Sequence, residues 1–151
     1  MEVRKERTGW RDEEISRRHR LWGVSCAAND IDFLLVEYNY NTPKAIVEYK
    51  NEHAPPQNLS ASQYQVLKNL GDRAQIPVLA VRYADDFSKF YVVPVNKKAN
   101  EFLPKRTEMT ESEFVALLYR MRNINLVAAE VLDTINNTGV KNNSEQPILG
   151  F

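Results

Sequence analysis

One cysteine in 151 residues excludes an intramolecular disulfide framework, and Cys26 with only two histidines leaves no zinc-ligand spacing. Five glycines argue against collagen-like, repeat or low-complexity architectures. Twenty basic residues balance twenty acidic ones, so the bulk basic excess of many nucleic-acid binders is absent. No apolar run reaches the length of a transmembrane helix, and the opening Met1-Glu2-Val3-Arg4-Lys5-Glu6-Arg7 lacks the apolar region of a signal peptide. These absences predict a cytoplasmic protein with no membrane partner. What is present, with 43% hydrophobic residues, suits a single α/β domain over residues 1–135 and a mobile C-terminal tail over 136–151, where Asn, Ser, Gly and Pro gather.

The stretch Asp32 to Lys50 organises the rest. Ile31 to Tyr38 and Lys44 to Lys50 are rich in β-branched and aromatic residues, and Asn39-Tyr40-Asn41-Thr42-Pro43 separates them, which predicts a β-hairpin with a five-residue loop. Strand side chains alternate faces, so Glu48 and Lys50 share one face while Val47 and Tyr49 take the other. Pairing Tyr38 with Lys44 puts Asp32 opposite Lys50 and Glu48 on the diagonal, within about 7–8 Å. Leu34, Val36 and Ile46 share that face, so a core helix is expected to cover it. Two acids and a lysine on a covered face are costly unless they pair or hold a metal.

An acid on one strand followed by Glu-x-Lys on the next resembles the signature of the PD-(D/E)xK, or restriction-endonuclease-like, nuclease superfamily. The resemblance covers roughly residues 10–95 when the flanking elements are included. It implies a mixed β-sheet flanked by helices in αβββαβ order, with a C-terminal helical addition. It also implies Mg²⁺ or Mn²⁺ held by Asp32, Glu48 and the Tyr49 backbone carbonyl, with Lys50 assisting the attacking water or the transition state. Asp30 is a second acid near the same place, but Asn29-Asp30 reads as turn chemistry.

The flanking elements fit that order. Residues 10–22 predict a helix stopped by Gly23, and steps of 100° put Glu14 at about 40° from Trp10, inside the apolar face with Leu21. Glu14 is therefore either an auxiliary active-site acid, as the resemblance implies, or the partner of Arg18 in an i, i+4 ion pair. Val24 to Ala28 reads as the first strand, and Cys26 as a small buried hydrophobe. Asn51 to Asn58, with two prolines, is a loop beside the site. Ser60 to Gln75 is a helix whose Ser60 and Gln63 match a capping box; Gln63 points at the sheet, either orienting a water near Lys50 or only capping. Ile76 to Tyr83 is a buried strand parallel to the Glu48 strand through a right-handed crossover. Phe90 to Val95 returns antiparallel, with Pro94 suggesting an edge, and Asp85 and Asp86 are solvated turn residues between them. Asn96 to Met109 reads as a loop with the basic pairs Lys97-Lys98 and Lys105-Arg106. Thr110 to Met121 is a helix with a Thr110/Glu113 capping box and a stripe of Phe114, Leu117, Leu118 and Met121, which packs on the domain or joins a homodimer interface. Leu126 to Ile135 is a further helix.

The predicted activity is metal-dependent hydrolysis of phosphodiester bonds, with DNA as partner. Asp32, Glu48 and Lys50 carry it, Glu14 and Gln63 are auxiliary, and Arg11, Arg18 and His53 contact the nucleic acid. The alternative is a non-catalytic nucleic-acid-binding or protein-interaction module in which the same charges form a structural ion-pair cluster. Intact Asp, Glu and Lys favour activity, because a module with no need of a metal has little reason to keep two inward acids together.

Overall fold

The computed structural model describes residues 13–37, 39–123 and 129–138. The chain divides into two compact units, Met1–Asp30 and Ile31–Phe151. In the first, α1 (Glu13–Leu21) is followed by a 3₁₀ turn over Val24–Cys26. The strand expected at Val24 to Ala28 is absent, and Cys26 is exposed. Gly23, at φ 83°, turns the chain, and the carbonyls of Gly23 and Val24 accept from Cys26 and Ala27, so those groups close a local turn in place of a ladder.

The second unit is a mixed α/β layer structure around one five-stranded sheet. Its order is β1 (Phe33–Glu37), β2 (Thr42–Asn51), β3 (Val78–Tyr83), β4 (Phe90–Pro94) and β5 (Thr107–Met109). Only β2 and β3 run parallel, joined as expected through α2 (Ser62–Ala74). Alternation along β2 separates two cores. Ile46 packs with Leu67 of α2 and with Val78, while Ala45 and Val47 pack with Leu79, Val81 and the buried stripe Phe114, Leu117 and Met121 of α4 (Glu111–Met121). The Thr110/Glu113 capping box forms, and Leu118 packs beside the stripe.

Several local expectations give way. Pro43 lies inside β2, opposite Val36 at a β-bulge, so the loop is shorter than expected and the register becomes Phe33↔Val47. A residue without an N–H is tolerated there because the bulge already interrupts the ladder. α2 begins at Ser62, capped by Ala61 without a side-chain bond; the Ser60 amide bonds Asn58 Oδ1 instead of entering a capping box. Asn96 to Met109 is not a loop. Asn96 caps α3 (Lys97–Phe102), and β5 then covers Phe90–Val92, so β4 is no edge; Pro94 lies beyond the part that β5 pairs. α5 runs over Ala129–Thr138, past the point where the tail was expected to begin.

A candidate metal centre at the end of the β1–β2 hairpin

The corrected register brings Asp32 abreast of Glu48, one step before Phe33↔Val47, and not opposite Lys50. Asp32 precedes β1, and its Oδ2 accepts from the Tyr49 amide at 3.1 Å. N–H and C=O of a strand residue point to the same edge, so the Tyr49 carbonyl is directed toward the β1 side, where Asp32 stands. Glu48 is 92% buried, and Lys50 on the same face places Nζ 3.6 Å from Glu48 Oε1. Burial pushes the Glu48 carboxyl up from its ordinary value, the Asp32 charge pushes it further, and Lys50 opposes both.

Beneath this group lies Tyr64 of α2, fully buried against Ala80 and Val93. Its hydroxyl is pushed up to about 12 by burial, with the Glu48 charge adding to the effect. Gln63, the predicted inward residue, is exposed at the first turn of α2. The covering helix reaches β2 and β3 but leaves Leu34 and Val36 of β1 exposed, contrary to expectation. Glu14 belongs to the N-terminal unit. It is exposed there and bonded to Arg17 at 2.7 Å, one residue short of the Arg18 expected as its partner. Arg18 is exposed on α1, and Arg11 lies outside the described residues.

The loop after Lys50 is held by side chains whose role the sequence did not disclose. Arg82, fully buried and paired with Lys50 across β2–β3, donates to the carbonyls of Asn51, Ala54 and Pro55 at 3.1, 2.6 and 2.9 Å. A charged residue inside an apolar strand was the available signal. His53, expected to face nucleic acid, has Nε2 2.7 Å from Asp85 and 3.4 Å from Glu52. Asp85 is therefore no idle turn residue; it also accepts from Asn51 at 2.7 Å, and its bond to His53 raises the imidazole pKa.

A hard divalent cation fits the Asp32/Glu48 pair. Glu48 Oε2 is buried without a hydrogen-bond partner among the described residues, which leaves a lone pair facing a region where Asp32 adds more negative charge. An oxygen in that state is costly alone and suited to Mg²⁺ or Mn²⁺, which need few protein ligands. No family model, curated protein or solved structure matches this chain.

Proposed function

We propose that this chain is a metal-dependent nuclease of the PD-(D/E)xK type that hydrolyses phosphodiester bonds in DNA. The observation that carries the reading is the buried, half-partnered Glu48 carboxylate beside Asp32 and Lys50. The antiparallel β1–β2 hairpin and the β2–α2–β3 crossover support a restriction-endonuclease-like core. Asp32, Glu48 and the Tyr49 carbonyl hold Mg²⁺ or Mn²⁺, and the bound cation supplies Lewis acidity and a charge that offsets the phosphate oxygens.

Lys50 contributes a fixed ammonium where negative charge grows in the transition state, and its partial burial strengthens that effect. Glu48 keeps the ammonium in place while presenting its other oxygen to the cation. Tyr64 and Ala80 exclude water from below. Arg11 and Arg18 give the N-terminal segment positive charge suited to a phosphate backbone.

Calorimetric titration with Mn²⁺ tests the reading directly. Saturable binding that Asp32→Asn removes is expected, together with cleavage of supercoiled, linear, single-stranded or branched DNA that EDTA stops. Absence of saturable Mn²⁺ binding to the folded wild type would leave a structural ion-pair cluster and sink the proposal.

A further inference from the structure

The charge of Arg82 is fully buried, stands beside the metal centre, and has no part in the reaction as described so far. Arg82 pairs with Lys50 in the parallel β2–β3 ladder, as Ala80 pairs with Glu48, so the two cations lie side by side on the face that carries the centre. Burying a guanidinium in a strand whose other early residues, Val78 to Val81, are apolar is costly. The Tyr64 hydroxyl of α2 feels the charges of both Glu48 and Arg82, which puts the guanidinium within electrostatic reach of the acids.

Three carbonyl oxygens converge on that guanidinium, from Asn51 at 3.1 Å, Ala54 at 2.6 Å and Pro55 at 2.9 Å. The Ala54 amide and the Gln57 side chain share the first and the last of them, but neither brings a positive charge. A cage of carbonyl oxygens attracts a cation, and Lys50 is the residue that precedes it. Neighbouring strands are only about 4.7–4.9 Å apart, so a lysine stem on β2 can reach either this cage or Glu48. The opposite face offers no third place, because Tyr49 and Tyr83 pack there in a row of rings with Phe33 and Phe87. With Arg82 filling the cage, like charge keeps Lys50 out of it, and the ammonium sits 3.6 Å from Glu48 Oε1.

We propose that Arg82 is a positioning residue for the candidate reaction and acts through Lys50. It occupies the carbonyl cage of the segment from Asn51 to Pro55 and so holds the Lys50 ammonium at Glu48, where the phosphate is to be cut. This rests on the nuclease reading, which gives Lys50 its task.

The test is a double-mutant cycle on the full chain, read by single-turnover cleavage of supercoiled or branched DNA in Mn²⁺ and by calorimetric Mn²⁺ titration of each variant. Arg82→Met fills the space without charge or donors. It should slow cleavage roughly 10²-fold when Lys50 is present, the scale of a misplaced group, and by no more than about twofold on a Lys50→Ala background. Its Mn²⁺ affinity should equal or exceed that of the wild type, because a repelling ammonium has left Glu48. Arg82→Lys returns a cation to the cage and should recover most of the rate. Equal effects on the two backgrounds, weakened Mn²⁺ binding, or an Arg82→Lys as slow as Arg82→Met overturns the proposal and leaves Arg82 only holding the loop. Arg82→Gln, neutral but able to donate, replaces Arg82→Met if that variant does not fold, with the same outcomes expected. Failure of both to fold assigns Arg82 to folding and likewise overturns the proposal. A wild type without Mn²⁺-dependent cleavage removes the nuclease reading, and with it the task of Lys50, whereas an active wild type with an additive cycle counts against Arg82 alone.

Discussion

Glu48 illustrates how one side chain can oppose folding and serve a site. Its carboxyl is raised in the folded state by burial first and Asp32 second, so the native protein holds that proton more tightly than the unfolded chain does. Stability from this group is complete below the ordinary carboxyl range and is lost as pH rises through the folded value. Once ionised, the buried group is a liability that a bound cation relieves. Glu48→Gln should therefore raise the metal-free Tm at pH 7, by roughly 2–4 °C per kcal/mol recovered, and should abolish the Tm increase that Mn²⁺ gives the wild type. Differential scanning calorimetry with and without Mn²⁺ reads both effects, and a metal-free Tm lowered by the substitution would contradict the assignment. Lys50 behaves differently because its ammonium repels a divalent cation. Lys50→Ala should leave Mn²⁺ affinity equal or slightly higher while slowing single-turnover cleavage by about 10²–10³. If affinity disappears with activity, Lys50 is a structural counter-ion.

At the scale of elements, the position of α2 over β2 and β3 decides how closed the site is. Gly71 sets that distance: a Cβ there would lie 2.2 Å from Val78 Cγ2 and 3.0 Å from the Ile76 carbonyl. In an exposed helix Gly→Ala stabilises by up to about 1 kcal/mol. Here the contact reverses the sign, and Gly71→Ala should cost about 1–3 kcal/mol in urea unfolding by forcing α2 off the sheet. A neutral or stabilising result would mean that the helix has room to shift. Behind Gly71, Asn96 is buried and joins α2, β3 and α3 through bonds to Asp72, Ile76, Val78 and Ala99. One side chain thus satisfies the polar groups of three elements, which explains why a segment read as loop is part of the core.

For the whole molecule, the buried apolar residues described lie between Ala45 and Met121, inside the second unit. A chain shortened to residues 31–138 should consequently keep a single cooperative thermal transition, followed by circular dichroism at 222 nm. Loss of that transition would show that the first thirty residues supply part of the core. No helix among the described residues is long and apolar enough to cross a membrane.

Periodicity in the sequence determined the elements whose burial is strong and local. The β2–α2–β3 crossover is legible in the apolar run from Ile76 to Tyr83, and the final long helix in its stripe and capping box, because one face of each must be buried wherever it packs. The grouping of Asp32, Glu48 and Lys50 was legible as well, since strand alternation fixes which side chains of β2 share a face. Register was not: moving Pro43 from loop to strand changes the residue abreast of Asp32 from Lys50 to Glu48, and a bulge has no signature in hydrophobic pattern alone. Val24 to Ala28 has strand composition but forms a 3₁₀ turn, and β5 is three residues long, too short for alternation to mark. The hold of Arg82 on Asn51, Ala54 and Pro55 joins residues about thirty positions apart, and the Phe33–Tyr49–Tyr83–Phe87 row crosses three strands. Contacts at such separation follow from chain topology, so only the tertiary structure could decide them.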